Sequence, residues 1–468
     1  MEDQIHDACG VVGVYRPQAE ASRIAFFGIF SLQHRGQESA GIATFDGSLR
    51  EHLYRGNGLV ASVFNEYDLE NLPGELAIGH TRYSTTGITS VKNAQPIRVS
   101  GPHGTIFVAH NGNIVNSVVL RKELEEKGVE FTTTSDSEVA AFLLAYSPGL
   151  TWEERIKSFM TRAQGAYSLT ILTNEAVYGV RDPHGFRPLC YGELDGGWVI
   201  ASETCALDNV GSSLVKEIEP GEIVKINSEG IAITQGTVKK TQLCIFENIY
   251  FSRPDSILNE EQVYSTRERM GAQLFRESHV PADIVTAIPD SAVPAGIGYA
   301  NESGIPYKET LIKNRNSGRT FIEPTQLLRE EAVRGKFTPL LQNIKGQRVI
   351  LIDDSIVRGT TTRQVVELLR TSGAVEIHLR VSSPPIKFSC HYGIDMPNRD
   401  ELIASNKSMI DIQKELGVDS LAYLELQGLK QSVPGRNDSY CDACFTGEYP
   451  VPVQLELSKM VFEKIPKK

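Results

Sequence analysis

Residues 348–370 read RVILIDDSIVRGTTTRQVVELLR. The run from Val349 to Ile352 is apolar at every position, as in a strand buried on both faces of a parallel sheet. Asp353 and Asp354 close it. Ser355 to Thr362 then form a Gly-containing loop that opens a helix. In open α/β sheets, ligands bind beyond the carboxyl ends of the strands. Backbone N–H groups and a helix N-terminus at that position favour an anion. Two acids beside a phosphate cradle would conflict if the ligand carried only phosphate. They suit a ligand that also offers ribose hydroxyls or a metal-bound pyrophosphate. The plainer alternative is an Asp-bearing turn of some other doubly wound sheet.

The neighbouring sequence extends this pattern. Strands and helices alternate from about 262 to 385: DIVTAIP before AVPAGIGYANES, RVILID before TTRQVVELLRTSG, then VEIHLRVSS. That alternation predicts a parallel α/β sheet. TAIPDSAVPAGIGYA (286–300) is a second strand–loop–helix carrying Asp290 and Ser291. KNRNSGRTFIEPTQLLR (313–329) is a Lys-, Arg- and Gly-rich segment. After residue 397 the pattern is mostly helical. No GxxxxGK[ST] loop is present, which argues against direct ATP chemistry.

The first half differs. Short apolar runs such as GVVGVY, AGIATF, LAIGHTR, TIFVAHNGNI and AYSLTILT are separated by Gly, Asn and Asp. Helical patterns interrupt them at 23–35, 117–127 and 136–146. Strands with few crossover helices predict layered antiparallel sheets. The boundary falls near 235–245, in QGTVKKTQ.

Cys9 follows the leader MEDQIHDA, which is too short and too acidic for a signal peptide. It is either a buried thiol at the start of a strand or the first residue of a processed chain. In the second case an α-amino group and a thiol share one residue. Arg82 lies in GHTRYSTTG, Asn111 and Gly112 at the end of a strand in VAHNGNIVN, and Asp136 in TTTSDSEVAAFLLA. Each alone has a structural reading: a surface ion pair, a type I′ hairpin turn and a helix N-cap.

At 468 residues, two or three domains are expected. A net charge of −11 argues against nucleic acid or an anionic membrane as the main partner. No apolar run approaches the ~20 residues of a membrane span, so the expected compartment is the cytoplasm. Structural disulfides are rare there, and the seven cysteines are then core thiols, metal ligands or nucleophiles. Cys441 and Cys444 form a CxxC, with Cys244 and Cys390 far upstream. Four thiolates suit zinc or an iron–sulfur cluster, and spacing does not choose between them. Cys190 and Cys205 show no pattern beyond ordinary thiols.

Together with SLQHRGQESAGIA (31–43), the Cys9, Arg82, Asn111 and Asp136 segments resemble the class II glutamine amidotransferases, which are N-terminal-nucleophile hydrolases. This implies a propeptide, 1–8, and a glutaminase domain, 9–238, built as a four-layer αββα sandwich. Cys9 is then the nucleophile. Its freed α-amine, with a pKa of about 7.7–8.0, takes the thiol proton. The Asn111 side chain and the Gly112 N–H form the oxyanion hole. Arg82 takes the α-carboxylate of glutamine and Asp136 its α-ammonium. His34 is left a structural role.

The 348–370 stretch resembles the type I phosphoribosyltransferases, which bind 5-phosphoribosyl 1-pyrophosphate (PRPP). This implies a parallel α/β domain, 239–468, ending in a helical segment. Asp353 and Asp354 then contact the ribose hydroxyls and Mg²⁺. Ser355, Ile356, Val357, Arg358, Gly359, Thr360, Thr361 and Thr362 hold the 5′-phosphate. Asp290 and Ser291 serve the pyrophosphate and Mg²⁺ side. Lys313, Arg315 and Arg319 belong to a lid over the pyrophosphate.

With both halves in one chain, the sequence resembles the PRPP amidotransferases, and among them the propeptide-bearing branch with a 4Fe–4S cluster. That branch assigns the cluster to Cys244, Cys390, Cys441 and Cys444. The resemblance implies formation of 5-phosphoribosylamine, the opening step of purine biosynthesis, and a channel for ammonia. It also implies feedback inhibition by purine nucleotides and a homotetramer. Another class II amidotransferase would share only the first half. A PRPP-binding regulator would share only the second, and would bring a basic DNA-binding module that this acidic chain lacks.

Overall fold

The structure, a computed structural model, describes residues 9–17, 21–83, 90–314, 336–396, 398–436 and 438–453. Its N-terminal half holds two antiparallel sheets face to face. The seven-stranded sheet runs in the order Ser213–Glu217, Cys190–Leu194, Gly197–Ala201, Gly10–Tyr15, Leu76–Arg82, Ser39–Phe45 and Glu51–Asn57. The six-stranded sheet runs Gly230–Gln235, Glu222–Asn227, Val177–Arg181, Gly165–Leu172, Gly104–Ile114 and Ile97–Gly101.

Side chains alternate across a strand, and here both faces are covered. Val11 and Tyr15 pack between the sheets with Ile78, Phe107, Ala109 and Val177. Val12 and Val14 point the other way, onto the helix Ala21–Ser31. This explains why GVVGVY is apolar without a polar alternate. The helices Ser117–Glu126, Asp136–Ala145 and Trp152–Arg162 cover the outer face of the six-stranded sheet. The layers are therefore αββα, as the resemblance implied.

The second half holds a four-stranded sheet in the order Ile284–Ala287, Arg348–Asp353, Glu376–Val381 and Ser420–Tyr423. Every pairing in it is parallel. Ile350 and Ile352 enter one core, while Val349 and Leu351 enter the other. No regular element occupies 236–242 between the halves. A short parallel pairing of Leu243–Cys244 with Tyr440–Cys441 brings the C-terminal segment back to this junction. No described helix is long and apolar enough to cross a membrane.

Three local readings need correction. The segment after 397 is not simply helical, because Ser420–Tyr423 supplies the edge strand of the parallel sheet. Four residues among short helices carry too little periodicity to show it. The helix Trp152–Arg162 was not read, although Thr151 caps it and Trp152, Ile156, Phe159 and Met160 lie buried at helical spacing. Asn111–Gly112 is neither a hairpin turn nor a strand end. The strand continues to Ile114, with Asn111 opposite Ser168 and Gly112 opposite Tyr167.

Candidate active site

Strand parity brings the first group of residues together. Cys9 continues the alternation of Val11 and Tyr15, and Asn111 that of Phe107 and Ala109. Arg82 continues Ile78 and His80. All three parities face the space between the two sheets. Gly10 pairs with Thr81, so Cys9 and Arg82 are next in register. All three side chains are buried.

The Cys9 thiol lies 3.3 Å from the Tyr83 carbonyl oxygen. Burial pushes the thiol up to about 11, while the charges of Arg82, Glu38 and Asp136 also act on it. Asp136 is buried in the first turn of its helix behind the Ser135 cap. Its Oδ2 accepts the Ile114 N–H at 3.0 Å. Asp136 thus touches the Asn111–Ile114 strand and is felt at Cys9.

The Asn111 amide is fully buried, and neither its oxygen nor its nitrogen has a partner among the described residues. An orphaned buried amide costs ~1–3 kcal/mol, a cost that pairing with a ligand group would remove. The Gly112 N–H can be located from register. Tyr167, opposite, accepts a bond at its carbonyl from the Asp182 N–H on its far side, 2.9 Å away. Gly112 and Tyr167 are therefore a non-hydrogen-bonded pair, and the Gly112 peptide groups point away from that strand. On that open edge the His110 N–H goes to Gln95 Oε1 at 2.7 Å and the Ile114 N–H to Asp136. The Gly112 N–H lies between them. Gly112 has φ +143°, and a Cβ there would strike the Ala166 carbonyl. Only glycine fits. His110 lies in this strand and His80 packs against it, 3.2 Å from the His110 carbonyl oxygen; burial lowers both imidazoles, His80 to about 3.

The second group lines an open cleft bounded by Tyr250, Ser291, Asp353, Asp354, Ser355 and Thr362. Thr362 Oγ1 donates to Asp353 Oδ2 at 3.0 Å. Ser291 and Ser355 donate to the two oxygens of Asp354 at 2.5 and 2.7 Å. Burial raises the Asp354 carboxyl, while those hydroxyls and Arg267 oppose the rise. The helix Thr360–Thr371 begins at Gly359, φ +84°, with no side-chain cap. Its first N–H groups are therefore not taken by a capping side chain. Ile356 and Val357 bury their side chains and leave only backbone for a ligand. Arg358 turns toward Glu401, 2.9 Å away. Lys313 pairs with Asp290 at 2.6 Å. Arg315, Arg319 and most of the 313–329 segment lie outside the described residues, as does the leader 1–8.

The third group is the cysteines. Cys244 and Cys441 are register partners. Burial raises the Cys444 thiol, and the charges of Cys244, Cys441 and Cys390 raise it further. Cys244 is pushed up to about 12, chiefly by burial, with Arg187 opposing. Among the described residues, no three of His, Cys, Asp or Glu are placed to hold a single metal ion. Cys190 and Cys205 are also buried, and burial raises both thiols.

Sequence reading missed a buried ionic network. Arg35, in the HRG segment, pairs with both Glu203 and Glu247, and all three side chains are fully buried. Arg187 joins Glu247 at 3.2 Å. His34 reaches Glu203 at 2.7 Å, which gives it a structural bond. Opposite charges far apart in sequence carry no local signal of pairing. The only available hint was an Arg within an otherwise small and polar turn.

Comparison with known proteins agrees with this architecture. A glutamine amidotransferase domain model matches residues 80–209, and a phosphoribosyl transferase domain model matches 255–383. The amidophosphoribosyltransferase of Synechococcus elongatus is 48% identical, over 99% of this chain and 96% of that protein. That of Archaeoglobus fulgidus is 50% identical over 95% and 98%. The solved Bacillus subtilis glutamine PRPP amidotransferase, complexed with ADP and GMP, superposes with a TM-score of 0.90 at 44% identity. It covers 96% of this chain and 99% of its own. On these similarities along nearly its whole length, the chain belongs to the amidophosphoribosyltransferase family.

Proposed function

We propose that Cys9, exposed as a new N-terminus by loss of residues 1–8, releases ammonia from glutamine, and that Asp353–Thr362 present PRPP to that ammonia. The reaction itself follows from the family: glutamine, water and PRPP give 5-phosphoribosylamine, glutamate and pyrophosphate, opening purine biosynthesis. The orphaned Asn111 amide, facing the same inter-sheet space as Cys9, carries the assignment of residues.

The α-amine takes the thiol proton, and Sγ attacks the side-chain carbonyl carbon of glutamine. Asn111 and the Gly112 N–H hold the developing oxyanion. The tetrahedral adduct collapses, and the α-ammonium returns its proton to the departing ammonia. Water then hydrolyses the thioester to glutamate. Arg82 and Asp136 hold the α-carboxylate and α-ammonium of glutamine. At the second site, ammonia displaces pyrophosphate from C1 of PRPP and loses a proton.

Mg²⁺ is commonly bound through one or two carboxylates plus substrate phosphates. Asp353 and Asp354 supply such carboxylates for a cation that arrives with pyrophosphate, where it would neutralise the leaving group. A tetrahedral zinc needs four ligands within about 2.3 Å of one ion, and the cysteines are not so gathered. Four thiols in mutual electrostatic reach suit the larger 4Fe–4S cluster, which would tie the segments at 244, 390 and 441–444 together. Nucleotide binding is carried over from the relative solved with ADP and GMP, and feedback inhibition is proposed with it. The lid, the ammonia channel, the tetramer and a cytoplasmic location complete the reading.

Phosphoribosylamine formation measured with glutamine and with ammonia tests the division of labour. Cys9→Ala is expected to lose the glutamine-dependent reaction and keep the ammonia-dependent one. Loss of both, or of neither, contradicts two separable sites.

A further inference from the structure

The edge of the oxyanion strand is covered by a segment from the other half of the molecule. Gly393 lies so close to Gly112 that a Cβ on Gly393 would be 2.5 Å from the Gly112 carbonyl carbon and 2.7 Å from its Cα. Gly393 has φ +91°, so two positive-φ glycines meet back to back. Asn113 Nδ2 donates to the His391 carbonyl at 2.9 Å. The segment is itself held rigidly. Arg187 donates to the Tyr392 carbonyl at 2.9 Å, and Phe186 stacks on the Tyr392 ring at 4.5 Å. The Tyr392 hydroxyl donates to the Val451 carbonyl at 2.6 Å, and the Tyr392 N–H reaches Cys390 Sγ at 3.3 Å.

A peptide group used as an oxyanion donor must hold its direction before charge develops, because its value lies in preorganisation. Gly112 has a looser backbone than its neighbours His110 to Ile114 in the strand, since glycine readily populates both signs of φ. Its ladder neighbour does not bond it, so something else must fix the peptide plane. We infer that the segment His391–Gly393 is a positioning element that clamps the Gly112 peptide, so that the phosphoribosyltransferase half sets the geometry of the glutaminase oxyanion hole. This deepens the reading above and rests on its assignment of Gly112. It also gives the Cys390 anchor a consequence for the other site.

The test uses full-length, processed protein. Gly393→Ala pushes the clamp off Gly112, and Asn113→Ala removes its hydrogen bond without adding bulk. Both variants are expected to lower glutamine-dependent kcat at least about tenfold, with the KM for glutamine little changed. Ammonia-dependent synthesis should stay within about twofold of the parent. A wild-type glutamine-dependent kcat in Gly393→Ala overturns the inference. So does loss of both activities in Gly393→Ala while Asn113→Ala remains unimpaired. Glutamine use surviving in a parallel Cys9→Ala control would instead sink the site assignment itself.

Discussion

Arg35 and Glu247 form an ion pair with both side chains fully buried, joining the amidotransferase half to the turn that leads into the transferase half. Glu203 and Arg187 complete it, so two acids face two arginines inside the molecule. Burial works against the Arg35 charge, but Glu247 and Glu203 more than offset this and hold the guanidinium ionised. Glu203 is kept well below the usual carboxylate range by Arg35 and His34, against the same burial.

Removing one member should therefore be far worse than its exposed counterparts suggest. Arg35→Met removes the one cation shared by both carboxylates, leaving Glu247 to Arg187 and Glu203 to His34, and is expected to cost about 3–5 kcal/mol. Denaturant unfolding measures this. A loss no larger than that of an exposed pair, about 0–1 kcal/mol, would contradict it.

Asn111→Leu separates catalysis from stability. The leucine keeps the branching at Cγ and the number of heavy atoms and carries no orphaned polar atoms, so the thermal midpoint should not fall. Loss of one oxyanion donor should lower glutamine-dependent kcat by about 10²–10³. Unchanged kcat would remove Asn111 from the oxyanion hole.

Cys9 alkylation should report the leader. In the chain that keeps residues 1–8, burial holds the thiol up to about 11. The thiolate is the reactive form, so below that pH most of the group is protonated and modification is slow. Its rate should climb toward pH 11. The processed chain should react near pH 8, following an α-amine of about 7.7–8.0. Identical pH–rate profiles for the two forms would contradict the role of the amine.

Metal analysis of anaerobically purified protein should find roughly four irons per chain, and Cys441→Ser should abolish them. One zinc per chain would overturn the cluster assignment.

The parts of the fold legible in the sequence were those with a local signature. GVVGVY and RVILI announce strands buried on both faces by lacking a polar alternate. The order of strand, Asp353–Asp354, loop and helix marks its own ligand site, because the phosphate cradle is built from consecutive residues. Cys9, Arg82, Asn111 and Asp136 were legible only as a set, since each alone fits an ordinary structural role. What escaped depends on tertiary contact. Arg35 and Arg187 meet Glu247 across long sequence separations, and nothing in the sequence marks Gly393 as the neighbour of Gly112. Gly112 itself was legible as a residue type but misplaced at a strand end, because its positive φ is absorbed within a continuing ladder.

The central claim is that two distant sites serve one reaction. Glutamate release from glutamine, measured with and without PRPP on anaerobically purified, processed protein, tests it most directly. The account predicts strong stimulation by PRPP, abolished in Asp353→Asn while Cys9 remains able to react. Glutaminase activity indifferent to PRPP would contradict it.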